Sequence, residues 1–318
     1  YAANAYTTSP PADPRGPSSG TQRVLRGGAW DSPAEMCRAA YRMKEFPAYT
    51  DACFGYDSYG FRRVRRVLPP TSSVRCRTPS AAKREMPETI IFVSDRAGSL
   101  GIWAMDADGA HQRPLTKDAF PDADPRFSPD GQSILYTSLR DGFPQVWMMN
   151  RDGSASRSIT GGSQPDWSPD GGSIIFIRDN QAWVRVLGTG AERQVTPPEW
   201  ERCGTPAWAP DGKRVALASR HTGTIGIYLL ALDGAATGPL GIPEAACTPR
   251  WSKDGTSLLC QTTGGHVCRV GVDGAGWEQL TFGADIQHDP RFSPDGARID
   301  CARAPRPEGP WQVCVKKA

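Results

Sequence analysis

The stretch Asp-Pro-Arg-Phe-Ser-Pro-Asp-Gly at residues 124 to 131 constrains this chain more than any other feature, because it returns four times with small changes. The returns run from Gln164 to Gly171, Thr205 to Gly212, Thr248 to Gly255 and Asp289 to Gly296. Their aromatic residues, Phe127, Trp167, Trp208, Trp251 and Phe292, are separated by 40, 41, 43 and 41 positions. A period of that length belongs to propeller arrays rather than to helical solenoids. Each repeat divides into four short strands. An inner strand ends in the signature aromatic, and the Asp-Gly that follows supplies the positive φ of a tight hairpin. A second apolar strand comes next, as at Ile134 to Thr137 and Ile174 to Ile177, and then a third with a large residue at a fixed slot, as at Trp147 and Trp183. A short outer strand closes the unit in Leu-Thr or its relatives, as at Leu115-Thr116, Ile159-Thr160, Val195-Thr196, Leu240-Gly241 and Leu280-Thr281. Four-stranded sheets repeated at this period predict a β-propeller in which each blade buries its faces against its neighbours.

Blade number follows from the ends of the array. Thr89 to Thr116 carries second, third and outer strands without a signature, and Asp289 to Ala318 carries three strands without an outer one. With four complete repeats between them, the expectation is a six-bladed propeller over 89–318, and Val74 to Arg77 or the segment after it is a candidate for the strand that closes the ring. Signature and layout resemble the TolB-like propeller repeats over residues 89 to 318. That resemblance implies a periplasmic protein-interaction module.

Tyr1 to Leu68 has a different texture. It contains no Asp-Gly turn, whereas residues 108 to 296 contain ten. It carries Asp13-Pro14-Arg15-Gly16-Pro17, then Arg-Val-Leu-Arg-Gly-Gly-Ala-Trp at 23 to 30, Cys-Arg-Ala-Ala-Tyr-Arg at 37 to 42 and Gly-Phe-Arg at 60 to 62. This order and spacing resembles the C-terminal part of the formylglycine-generating enzyme (sulfatase-modifying factor) family. The resemblance implies a small α+β, C-type-lectin-like fragment and, in active members, copper(I) held by two cysteines. The matching positions here are Ser32 and Cys37. Copper(I) selects soft thiolates, which a serine hydroxyl cannot replace, so the expected state is a non-catalytic fragment without cofactor. Residues 69–88, rich in Pro, Ser and Thr with little to bury, read as a linker.

Charge narrows the function classes. Residues 1 to 88 hold 14 Lys and Arg against 8 Asp and Glu, whereas the remainder holds 23 against 26, so the chain's net +3 is a basic N-terminal part joined to a mildly acidic array. That balance does not fit a dedicated nucleic-acid binder, and no run of 18 apolar residues exists to span a membrane. The basic run containing Arg62, Arg63, Arg65 and Arg66 is a candidate contact for an acidic partner, or a solvated strand edge.

Other candidates are sparse. Gly16 to Gly20 satisfies a nucleophile-elbow pattern but is flanked by prolines rather than by a strand and a helix. Asp106 to Gly109 resembles the start of a calcium loop, yet position 12 of that loop would be Lys117, so a hairpin turn is expected. Asp124, His288 and Asp289 precede inner strands and are candidates for the mouth of a central channel, with capping of loop backbone amides as the favoured alternative. Trp200 and Trp277 lie outside the repeated strand slots and are candidate exposed contacts.

The nine cysteines follow the repeat. Cys260 and Cys268 replace the aromatic pair found in earlier second and third strands, and Cys301 and Cys314 make the same replacement one repeat later. Opposed Cβ atoms on antiparallel strands lie about 4.5–5.5 Å apart, so bridges Cys260–Cys268 and Cys301–Cys314 are expected, with Cys203–Cys247 and Cys37–Cys53 as further pairs and Cys76 left over. Stable bridges require an oxidising compartment. The combined expectation is a non-enzymatic scaffold or interaction subunit on the periplasmic or extracellular side of the bacterial envelope, bound to a protein partner in a membrane-associated complex. The alternative is a formylglycine-generating-type modifying enzyme completed by a region outside this chain.

Overall fold

The computed structural model describes residues 89–318 apart from 234, 236–237 and 306–310; before residue 89 it describes only two strands. Those two, β1 (Arg23–Arg26) and β2 (Arg42–Glu45), pair antiparallel with Arg23 opposite Glu45. The chain divides into two compact units, Tyr1–Met86 and Pro87–Ala318. The expected lectin-like fragment, the linker, the Val74 to Arg77 strand, Gly16 to Gly20, Ser32, Cys37, Cys53, Cys76 and the basic run Arg62, Arg63, Arg65 and Arg66 lie outside the described residues.

Among the described residues the second unit is a succession of six antiparallel sheets. The first contains β3 (Thr89–Ser94), β4 (Gly101–Asp106) and β5 (Arg113–Pro114). The second contains β6 (Asp122–Phe127), β7 (Ser133–Ser138), β8 (Gln145–Asn150) and β9 (Arg157–Gly161). The third contains β10 (Ser163–Trp167), β11 (Ser173–Arg178), β12 (Gln181–Val186) and β13 (Glu192–Gln194). The fourth has β14 (Gly204–Trp208), β15 (Arg214–Ser219) and β16 (Gly226–Ala231). The fifth has β17 (Ala246–Trp251), β18 (Ser257–Thr262), β19 (Val267–Gly271) and β20 (Glu278–Gln279). The sixth has β21 (Ile286–Phe292), β22 (Arg298–Ala304) and β23 (Gln312–Lys317). Within each sheet the strands pair in chain order, so every sheet is a meander.

Side-chain alternation explains why the second strands are apolar on both faces. In β7, Ile134 and Tyr136 pack with Ile102, Ala104 and Leu115 of the first sheet. Leu135, pointing the other way, packs with Trp167, Ile174 and Phe176 of the third. Next, Ile175 and Ile177 meet Val215, Leu217, Tyr228 and Leu230 of the fourth sheet. The second and third sheets are thus each buried between two others, so a period-2 strand there reads as a continuous apolar run rather than as alternation.

The signature builds the hairpin expected of it. Gly131 takes φ 69° and donates its N–H to the Ser128 carbonyl, while the Ser128 hydroxyl donates to Asp130 Oδ1 and Asp130 Oδ1 also accepts the Gln132 N–H. The serine hydroxyl and backbone N–H hold the Asp130, Asp170, Asp254 and Asp295 carboxyls below their usual range. The outer strands differ from expectation. Leu115-Thr116, Val195-Thr196 and Leu280-Thr281 lie just beyond β5, β13 and β20, because the threonine hydroxyl, not its backbone, accepts the third-strand N–H of Ile102, Ala182 or Val267. At Leu240-Gly241 no outer strand forms among the described residues; Leu240 keeps one backbone bond to Ile227. Asp106 to Gly109 is a turn, closed by Gly109 N–H to the Asp106 carbonyl, as expected.

Candidate functional site at the inner strands

All five complete inner strands carry a bulge that the sequence reading did not foresee. Asp124, Gln164, Thr205, Thr248 and Asp289 have φ between 49° and 53°, and the ladder with the second strand shifts register there. A left-handed conformation in a residue other than Gly costs on the order of 1–3 kcal/mol. Each of these residues precedes a proline. Because Pro has no N–H, the break in the ladder leaves no orphan donor at the next position.

The bulged residues offset this cost by bonding sheet to sheet. Gln164 N–H donates to Thr137 Oγ1 (3.0 Å), whose hydroxyl donates in turn to Asp124 Oδ2 (2.9 Å). Thr205 N–H donates to Gln164 Oε1 (2.7 Å), Thr248 N–H to Thr205 Oγ1 (3.2 Å) and Asp289 N–H to Gln261 Oε1 (3.4 Å). This relay runs from the second sheet to the sixth. The signature tryptophans add to it: Trp167 Nε1–H donates to the Arg126 carbonyl and Trp251 Nε1–H to the Ala207 carbonyl, each on an earlier inner strand.

Two residues beyond the bulges stand Arg126, Asp166, Ala207, Arg250 and Arg291. Arg126 and Arg250 are 7% and 8% exposed. Each spends Nη1 on the carbonyl of its own preceding proline, and in each Nε has no hydrogen-bond partner. Arg126 Nε lies 4.0 Å from Asp166 Oδ1, while Asp166 Oδ2 accepts the Trp208 N–H. Burial, with Arg126 beside it, lowers the Arg250 pKa to about 10 against the pull of Asp166, Asp289 and Asp124. Burial raises Asp124, opposed by Arg126 and by the Thr137 hydroxyl and reinforced by Asp289. Charges of the second, third, fifth and sixth sheets therefore act on one another at one place.

The structure brings together three of the sequence candidates here. Asp124 is half-buried, Asp289 is exposed, and His288, lowered by burial, shares a 2.8 Å bond between Nδ1 and Gln261 Nε2 and meets the Trp311 ring edge-on at 4.7 Å. Arg126, Arg250 and Asp166 escaped sequence reading; their fixed place two residues after the bulge is the signal that could have found them. Among the described residues no group of three or more His, Cys, Asp or Glu side chains is placed to hold a metal ion.

Other candidates fall elsewhere. Trp200 is not an exposed contact: it is 5% exposed, stacks on His221 at 5.3 Å and packs on Tyr228, because its loop folds under the fourth sheet's core. Trp277 is half-buried, with its indole N–H enclosed.

The cysteine bridges also require correction. Cys260 lies opposite Cys268 and Cys301 opposite Cys314, as expected, but all four are free thiols. A disulfide needs Cβ atoms about 3.5–4.5 Å apart, whereas a regular ladder holds opposed ones at about 4.5–5.5 Å; the ladder is kept and the bond is not made. The Cys203–Cys247 bridge is absent as well. Cys203 is a free thiol donating to Ser219 Oγ at 3.9 Å and pushed up to about 11 by burial, and Cys247 is disulfide-bonded but not to Cys203.

A family model described as TolB beta propeller domain matches residues 84–196. No curated protein matches the chain. TolB from Acinetobacter baumannii superposes with a TM-score of 0.59 at 20% identity, over 71% of this chain and 63% of that one. This chain thus spans less than two thirds of that relative. A putative TolB from Agrobacterium tumefaciens gives 0.53 at 22% identity, over 60% of this chain and 73% of that one. An oligogalacturonate lyase in complex with manganese gives 0.47 at 14%, over 73% of this chain and 71% of that one, which is too distant to bear on this chain. The fold is mainly β and TolB-like.

Proposed function

We propose that this chain is a non-enzymatic protein-interaction subunit on the periplasmic or extracellular side of the bacterial cell envelope. In this reading it meets a protein of a membrane-associated complex at the bulged end of its inner strands. The observation that carries it is the enclosed pair Arg126 and Arg250, whose Nε donors lack partners beside Asp124, Asp166 and Asp289. Asp289, exposed beside these buried charges, offers a partner a polar anchor at that end. The likeness to TolB, resembled also by the repeat signature, supports a protein as that ligand and the envelope as its location.

Ser32, standing where the formylglycine-generating family needs a thiolate, supports the absence of oxidase activity.

A photo-crosslinking residue placed at Asp289, and separately at Lys253 in the hairpin at the other end of an inner strand, tests the reading in native membrane preparations. A defined protein adduct from position 289 that Arg250→Gln abolishes is the expected result. Adducts from position 253 with none from 289 overturn the assignment of the contact end.

A further inference from the structure

The two pairs of opposed thiols differ in one respect. Cys260 and Cys268 are both fully enclosed, whereas Cys301 is 4% exposed and its partner Cys314 is half-buried on β23, the last strand of its sheet. Alternation along β22 puts Cys301 on the face of Ile299, which packs with Leu259 and Val267 of the fifth sheet. Cys301 Sγ lies 3.5 Å from Gln287 Oε1. Arg303 and Lys316 stand two residues beyond each sulfur, hence on the same face. Arg303 pairs with Asp285, and Lys316 Nζ donates to the Leu280 carbonyl at 2.7 Å, so both cations are fixed beside the thiols.

We propose that Cys301 and Cys314 form a two-coordinate site for a soft monovalent cation, copper(I) being the type. The two side chains are directly opposed in the ladder and both are free thiols, so one ion can be shared between their sulfurs. Thiolates select copper(I) over hard ions, and zinc is disfavoured because it takes four ligands while no third His, Cys, Asp or Glu joins this pair among the described residues. Binding replaces two S–H bonds by two sulfur–copper bonds, releases two protons to water and changes no oxidation state. The resulting unit carries one net negative charge, which Arg303 and Lys316 face.

The full-length chain, reduced and held anaerobic, is titrated with copper(I) in competition with bicinchoninate, whose copper(I) complex is coloured. Circular dichroism confirms that each variant keeps its β-sheet. The wild type is expected to withdraw one more equivalent than Cys314→Ser. Since loss of a residue that merely supports a metal ligand costs about 10- to 100-fold, loss of a ligand itself is expected to weaken that equivalent by more than about 100-fold. Cys260→Ser/Cys268→Ser, removing the enclosed pair, is expected to retain it. Equal stoichiometry and affinity in wild type and Cys314→Ser overturns the site, as does finding Cys301 and Cys314 joined as a disulfide that resists reduction in the folded protein.

Discussion

Replacing Asp300 by Asn is expected to stabilise the second unit at neutral and alkaline pH and to do nothing in acid. The third residue of every other second strand is apolar: Ile91, Leu135, Ile175, Ala216 and Leu259. In β22 the slot holds Asp300, whose carboxyl is pushed up from 3.8 to about 6 by burial, with only partial relief from Arg298. The difference is worth about 3 kcal/mol between its two protonation states. Because the folded-state pKa is raised, the stability is fully present below 3.8 and is lost as pH rises through about 6. An Asn presents the neutral form at every pH. At pH 8 the variant is therefore expected to melt about 6–12 °C above the wild type, at about 2–4 °C per kcal/mol for a domain of this size. At pH 4 the two melts should converge. Thermal melts of both proteins across pH 4 to 8 measure this directly. No upward shift at pH 8, or the same shift at pH 4 and pH 8, refutes the argument that burial of a charge is what Asp300 costs.

Glu192 has the opposite sign. Despite its partial desolvation, the Thr160 hydroxyl and the guanidiniums of Arg185 and Arg178 hold it at about 2, so its contribution is present above 4.5 and lost as pH falls. Acid unfolding followed by tryptophan fluorescence should show Glu192→Gln less stable than wild type at pH 7, by a small amount because the site is solvent-screened, and equal to it near pH 2. Gln164→Ala removes the acceptor of the Thr205 N–H and is expected to cost about 1–3 kcal/mol in urea unfolding; an unchanged midpoint would show that water replaces the amide oxygen. Trp167→Ala empties the boundary between second and third sheets and should cost about 3–5 kcal/mol, with a smaller loss placing Trp167 outside the shared core.

Some of this was open to reading along the chain. The Pro-x-aromatic-Ser-Pro-Asp-Gly signature determines its own hairpin, because only local contacts are involved: a hydroxyl, a carboxylate and a glycine at φ 69° within four residues. Strand order in each sheet follows from it, since hairpin-joined neighbours pair with each other, whereas the outer strand expected at Leu240-Gly241 does not form among the described residues. Register placed Cys260 opposite Cys268 and Cys301 opposite Cys314 for the same reason. What depended on distances across sheets could not be read. Whether opposed thiols bond turns on about an ångström of Cβ separation, and Trp200, isolated in sequence, is core because Tyr228 and His221 come to it from elsewhere. The bulge before each proline and the convergence of Arg126, Asp166, Arg250 and Asp289 arise only once the inner strands stand side by side. A pattern of period 2 fixes which face a side chain takes, whereas the state of Arg250 is set by Arg126, Asp166, Asp289 and Asp124, some 40 or more positions away.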